Sequence, residues 1–476
     1  MISRLLRCRY LLAEKHFDKV DVFEQRSSVG GTWNYCPEDL KHGAPIPVPQ
    51  LNPNEPPEEP RWRSTGGKDA AQEAIFVSPV YKYLDTNIPK ELMRYSDKPF
   101  PADAPVLPHH QTVKTYLEEY GDDVKDHIQF ETQILDVRTS TSNAKSWDLT
   151  TKSLRTGSQC TATYDAVVVA SGHFDVAYIP DIAGISHWNK TYPGVISHSK
   201  VFDAPESFRG KKAVVVGSSA SGLDIGSQIS QFSKGKVLAS QRTPSWLMPQ
   251  ADTDKIYCPE IVEFLPPTSH ERGVRFADGR VEEGIDSIVF CTGYLYSFPF
   301  LSSVQPPLIT DGRRVRNIYQ HLFYIENPTL VFPVLTQRTI PFPMSENQAA
   351  VFARVWSGRL SLPSREEMTS WENSIAAERG DGTSFHLLPF PMDADYLEML
   401  YDWAAQAQPR DGLGNEGNGK QGNRWEEKER WMRSLFPEIR KRFIERGNER
   451  PNIKSLAQLG YDFDKWKREQ GPRSQL

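Results

Sequence analysis

Apolar positions in this chain fall into short runs, mostly at strand spacing, separated by helical stretches and long polar connections. The opening residues read as a helix through Tyr10, Leu11 and Leu12. An apolar strand (Val20, Val22, Phe23) follows, ending on Glu24 and then a double glycine, Gly30-Gly31. Residues 37–78 are rich in proline and charge and predict a long surface excursion rather than an element. A short amphipathic helix is expected over 112–122, with strands over 128–137 and 164–172. The run AVVVA in the last of these is apolar on both faces, as in a buried parallel sheet. A complete strand–turn–helix unit comes next: strand 213–216, a Gly/Ser turn over 217–222, and a helix from about Leu223. A strand over 236–240 and a hairpin and strand within 270–293 complete this region. Beyond Pro341 a helix is expected with Ser345 as N-cap and Gln348 three residues on. A Gly/Asn/Gln linker (408–425) and a charged helix (425–448) follow.

Strand–helix alternation of this kind gives an α/β fold, and 476 residues exceed one ordinary core, so two or three domains are expected. Net charge is −5 and no basic stripe appears, which argues against nucleic acid as a partner. No run approaches the roughly 18 apolar residues of a membrane helix. The five cysteines (Cys8, Cys36, Cys160, Cys258, Cys291) are widely spaced with no C-x-x-C, which fits free thiols and offers neither a metal cluster nor a redox disulfide. A cytoplasmic location is the expectation. The closing Ser474-Gln475-Leu476 loosely resembles the peroxisomal S-K-L address, and Arg4, Arg7 and Arg9 read as part of an amphipathic helix rather than a presequence. Oligomeric state is not legible.

The unit at 213–222 has the context that a phosphate-cradling turn needs. Gly217 turns the chain tightly off its strand. Ser218, Ser219 and Ser221 are small enough for backbone N–H groups to approach a pyrophosphate, and Gly222 permits close helix–strand packing. Ser219 stands where the usual fingerprint has its middle glycine. The next strand ends in Ser240-Gln241-Arg242 with no acid, which favours NADP(H) over NAD and makes Arg242 the candidate 2′-phosphate clamp. In the opening unit, strand-terminal Glu24 fits an adenosine ribose. Gly30-Gly31-Thr32-Trp33 lets backbone pass close to a second nucleotide. A fingerprint glycine belongs about 20 residues before Glu24, near residue 4 or earlier, and no glycine occurs before Gly30.

These units, in this order and with G-G-T-W after the first, resemble the flavin-containing monooxygenases, particularly their fungal members. Tyr192 to Phe202 (Y-P-G-V-I-S-H-S-K-V-F) is similar to the family signature F-x-G-x-x-x-H-x-x-x-[Y/F], with tyrosine first. F-C-T-G-Y (Phe290 to Tyr294) resembles F-A-T-G-Y, and Y-K-Y-L-D-T-N (Tyr81 to Asn87) resembles the stretch carrying the family's active-site asparagine. The resemblance implies two Rossmann-like domains, the NADP domain (173–289) inserted into a discontinuous FAD domain (1–172 and 290–476), with Thr292 and Gly293 at one crossing. It implies FAD and NADPH as cofactors, O2 as co-substrate, and a C4a-hydroperoxyflavin that oxygenates an amine nitrogen or a thiol or sulfide sulfur. Asn87 would hold the oxygenating adduct or the NADP⁺ ribose. Glu24, Gly30, Gly31, Thr32, Trp33 and Gln348 would serve FAD, while His198 would be structural and Cys291 a small buried hydrophobe. The helix near Ser345 could point its positive end at the flavin.

Two other readings stay open. Phe202 stands where Baeyer–Villiger monooxygenases typically carry tryptophan, but Asp203 after it suits them. Lacking a first strand and glycine-rich loop before Tyr10, the chain is also readable as a catalytically impaired truncated homologue that binds NADP(H) but not FAD, and weak FAD binding or misfolding is the expectation for it.

Overall fold

Residues Ala213–Val216 form the centre of a five-stranded parallel sheet, in the order Ile196–His198, Ser287–Phe290, Ala213–Val216, Val237–Ser240, Lys255–Cys258. Period-two alternation splits its side chains between two cores. Val214, Val216, Leu238, Ile288 and Phe290 pack with Trp188, Phe264 and Phe276 on one face. Ala213, Val215, Val237 and Val289 pack with Ile225 and Ile229 of helix Ala220–Ser230 on the other. Burial of both faces is what the unbroken apolar run foretold. The computed structural model describes residues 3–41, 46–64, 72–245, 247 and 253–470.

The second body is built from both ends of the chain. Strand Val22–Phe23 pairs in parallel with Ile128–Gln129, and Val167–Val168 pairs in parallel with Leu330–Val331. Helix Ser3–Ala13 lies with helices His110–Gly121 and Pro341–Trp356 in one apolar cluster. Within it Phe100, Tyr116, Tyr95 and Phe342 stack, with centroids 4.0 Å apart for the first pair and 5.0 Å for the last. The two crossings between bodies run side by side: Val176–Ala177 pairs antiparallel with Tyr294–Leu295. The fold is therefore α/β with parallel sheets.

Several expected elements differ. The region 37–78 is not simply surface: Lys41 and Gln50 are buried, and Lys41 Nζ donates to the carbonyls of Val80 (2.6 Å) and Phe202 (2.9 Å). A two-stranded hairpin, Arg61–Ser64 with Gln72–Ile75, lies in the same region. The strand expected over 128–137 breaks at a turn into Ile128–Gln129 and Thr132–Thr139, where Glu131 takes a positive φ of 52°. The strand expected over 164–172 is reduced to Val167–Val168. Helix Ala220–Ser230 starts ahead of Leu223, with Ser219 as N-cap.

The helix expected to be capped by Ser345 starts at Pro341, with Ile340 as N-cap; proline at a first helical position needs no N–H, so it outweighs the Ser345/Gln348 pattern. The linker over 408–425 packs closely, because Arg359 donates to the carbonyls of Gln408, Gly417 and Asn418 and Arg354 to those of Asn418 and Lys420. The charged helix over 425–448 is two helices, Glu427–Ser434 and Phe436–Glu445, with Pro437 in the first turn of the second. Ser474, Gln475 and Leu476 lie outside the described residues.

Candidate active-site cleft

A cleft of about 2150 Å3 runs between the two bodies and is walled by both candidate nucleotide units. On the five-stranded side, Gly217, Ser218, Ser219 and Ser221 line it at the start of helix Ala220–Ser230, with Arg242 opposite at the strand end. Gly217 has φ 122°, and a Cβ there would stand 2.5 Å from the Cys291 carbonyl oxygen. Gly222 does not line the cleft; its missing Cβ lets the helix close onto the Gly217 carbonyl. The turn therefore presents small side chains and helix-terminal N–H groups, the equipment for a diphosphate. Arg242 is exposed, lines the cleft, and makes no hydrogen bond or ion pair with a described residue.

On the other side, Phe23, Gln25 and Arg26 reach the cleft, whereas buried Glu24 turns its carboxylate to the Arg26 N–H (3.0 Å) and does not line it. Gly30 (φ 105°) and Gly31 (φ 55°) supply left-handed backbone that brings Thr32 to the cleft wall; Trp33 lies behind it. A Cβ at Gly30 would meet the Lys114 side chain at 2.7 Å. Buried polar atoms along this wall have no hydrogen-bond partner among the described residues: Arg26 Nε, Thr32 Oγ1, Ser171 Oγ and His173 Nε2. Buried donors and acceptors ordinarily find partners, so these suit a polar ligand such as a dinucleotide. The residues present on both walls thus fit FAD and NADPH.

Asn87 lines the cleft, and its amide makes no hydrogen bond to any described residue, so its donors and acceptor are available to a ligand. Thr292 and Gly293 line it at the second crossing, where the Thr292 hydroxyl donates to the Tyr178 carbonyl. Gln348 is fully buried: Oε1 accepts from Val334 N–H (2.7 Å), Nε2 donates to Tyr396 (3.2 Å), and the side chain stays behind the cleft wall that Val334 forms. His198 accepts the Lys200 N–H at Nδ1 (3.0 Å), so Nε2 carries the proton and donates to the Gly293 carbonyl (3.0 Å). Burial lowers its pKa to about 4, so it pins the crossing as a neutral ring. Burial raises the Cys291 thiol to about 12, which makes it inert.

Sequence reasoning did not single out His173 or Phe174. Phe174 is 52% exposed in the cleft, edge-on to Tyr294 at 5.6 Å. Both follow Ser171-Gly172 at the end of the apolar run. An aromatic pair just beyond a buried strand's last glycine was the available signal. Among the described residues no metal-binding cluster occurs, and no helix is long and apolar enough to cross a membrane.

Two candidate nucleotide units face one cleft, and among the described residues their arrangement fits the class of dinucleotide-dependent flavoprotein oxidoreductases. Residues 68–265 and 259–406 match the family model for flavin-binding monooxygenase-like proteins. The thiol-specific monooxygenase of Saccharomyces cerevisiae is 35% identical over 363 residues, covering 72% of each chain. The flavin-containing monooxygenase iboF of Amanita muscaria is 28% identical over 447 residues, 82% of this chain and 84% of that one. In structure, the S-allyl-L-cysteine S-oxygenase from Allium sativum matches with a TM-score of 0.74 and 28% identity, over 98% of this chain and 96% of that one. This chain belongs to the flavin-containing monooxygenase family, whose members depend on FAD and NADPH.

Proposed function

We propose that this chain is an NADPH- and FAD-dependent monooxygenase that oxygenates sulfur in a thiol or sulfide, or an amine nitrogen. The overall reaction is NADPH + H⁺ + O2 + substrate → NADP⁺ + H2O + oxygenated substrate. The observation that carries this reading is one cleft shared by the Gly217–Ser221 turn with Arg242, the orphaned polar wall at Thr32 and Ser171, and the unpaired amide of Asn87. Bound FAD would supply electron relay and O2 activation. Helix-terminal N–H groups at 218–221 would hold the NADPH diphosphate, and Arg242 the 2′-phosphate. Thr32, Ser171 and His173 would take polar atoms of FAD, and Asn87 would fix the reacting centre by its amide. Sulfur is favoured over nitrogen by the names of the thiol-specific and S-allyl-L-cysteine relatives.

The test is a visible spectrum of the chain purified with added FAD, followed by product analysis with a thiol, a tertiary amine and a ketone under NADPH. Oxygenated thiol or amine, one per NADPH, is the expected outcome. An ester from the ketone would assign a Baeyer–Villiger enzyme instead. Nucleotide binding with no flavin bands would mark a binding protein. Arg242→Ala should raise KM for NADPH by about tenfold or more, as loss of a charge-assisted hydrogen bond does, and leave NADH use unchanged.

A further inference from the structure

We propose that residues 81–87 form a strap that couples the NADP-turn helix to Asn87, with Tyr81 and Asp224 as its positioning pair. The inference rests on the reading above, in which Asn87 faces the reacting centre and the 217–222 turn takes NADP(H).

The strap's two halves are gripped by different bodies. Tyr81 is buried, edge-on to Phe202 at 5.3 Å, and its hydroxyl donates to Asp224 Oδ2. Asp224 lies in the first turns of helix Ala220–Ser230, directly after the cleft-lining serines. It also accepts from Gln228 Nε2 at 2.9 Å and faces the Arg440 guanidinium at 3.6 Å. The next residues are held mainly by the same body: Lys82 N–H donates to the Asp203 carbonyl (3.1 Å) and the Tyr83 hydroxyl to Glu206 (2.7 Å), while the Lys82 carbonyl lies 3.1 Å from His109 Nε2 of the other body. The Leu84 side chain still packs against the nucleotide-turn core, but from the Leu84 carbonyl onward the hydrogen bonds go to the other body. The Leu84 carbonyl accepts from His110 N–H (3.0 Å), and Thr86 N–H donates to the Pro108 carbonyl (2.9 Å). Arg450 holds Asp85 at 3.0 Å. Asn87 comes next, lining the cleft, its amide without a hydrogen bond to any described residue.

Six peptide steps, from Tyr81 to Asn87, therefore connect the residue bonded to the nucleotide-turn helix to the unpaired amide, a path of at most about 20 Å of chain. A buried phenol on a carboxylate is a strong, directional hydrogen bond. Burial and the neighbouring Asp224 charge push the phenol's pKa well up, so it stays a donor at all working pH values. Nucleotide binding that orders the helix start also orders the far end of the strap, because the ordering cost is then shared. Asn87 is thus set in place when NADP(H) is bound.

Hydrogen exchange of the amides at 84–88, with and without NADP⁺, reads this directly, alongside calorimetric titration of NADP⁺ into the same samples. NADP⁺ should slow exchange there by about fivefold or more in the wild-type chain. In Tyr81→Phe and Asp224→Ala, NADP⁺ should still bind, but the protection should vanish. Asp224→Asn keeps an acceptor for the phenol and should restore it, which a merely structural loss of charge would not do. In turnover, Tyr81→Phe should release more peroxide per NADPH with KM for NADPH unchanged. Unaltered protection in Tyr81→Phe overturns the proposal, as does NADP⁺ binding to wild type without protection at 84–88. Should Tyr81→Phe not fold, Asp224→Ala against Asp224→Asn decides. No NADP⁺ binding to wild type would instead bring down the nucleotide reading, and the strap with it.

Discussion

Glu346 is the residue whose ionisation the fold changes most visibly near neutrality. Its fully buried carboxyl accepts from Ser96 N–H (2.9 Å) and Ser96 Oγ (2.7 Å), and burial still pushes its pKa up from 4.5 to about 7. Between those pH values the folded chain keeps a proton that the unfolded chain has lost, so this group's contribution to stability falls as pH rises through the window. Buried histidines act in the opposite sense. Burial lowers His110, His173 and His198 to about 4 and His321 to about 3, so their contribution is present above pH 6.5 and is lost as pH falls. Glu346→Gln removes only the first effect. The melting-temperature difference, variant minus wild type, should become more positive from pH 5 to pH 8; a difference flat with pH would rule out Glu346 as its source. None of this was legible in the chain, because Glu346 reads there as an ordinary polar position in a helix.

At the level of elements, the strand–turn–helix at 213–230 was read well because its signals are local. Glycine at a positive φ, small residues at a helix start and an unbroken apolar run each depend on few neighbours. The Pro341 helix was misjudged because a cap pattern inside a helix competes with proline at its true start, and nothing local decides between them. Gly222→Ala tests the turn. The added methyl would run into the Gly217 carbonyl, so the helix start must shift away from the strand. Strain of about 1–3 kcal/mol should appear as roughly tenfold weaker NADP⁺ binding by calorimetry, with a modest fall in melting temperature. Binding equal to wild type would show that the turn absorbs the methyl without moving its N–H groups.

Across the whole molecule, distant segments are joined by buried ion pairs. Arg359 places Nη1 2.9 Å from both Glu14 carboxylate oxygens, and Ser357 Oγ donates to the same carboxylate at 2.8 Å. Arg433, itself at the cleft wall, donates to Asp393 at 2.7 Å and to the Arg338 carbonyl at 3.0 Å. Removing one partner of such a pair leaves a buried charge, so Arg359→Met should cost about 3–5 kcal/mol in chemical denaturation. A loss below about 1 kcal/mol would mean that Glu14 finds water or neutralises in the variant.

The order of motifs determined the family and marked two candidate nucleotide units, because turns, apolar runs and the Asn87 stretch carry their chemistry in short spans. Tertiary structure decided which of those residues face the cleft. Thr32 reaches it while Trp33 does not; Gln348 is spent on Val334 and Tyr396; and the stretch opening at Tyr10 is tied at Glu14 to Arg359, hundreds of residues away. It also placed Tyr81 on Asp224. Such pairings depend on how separate elements pack, and no span of the chain short enough to read contains both partners.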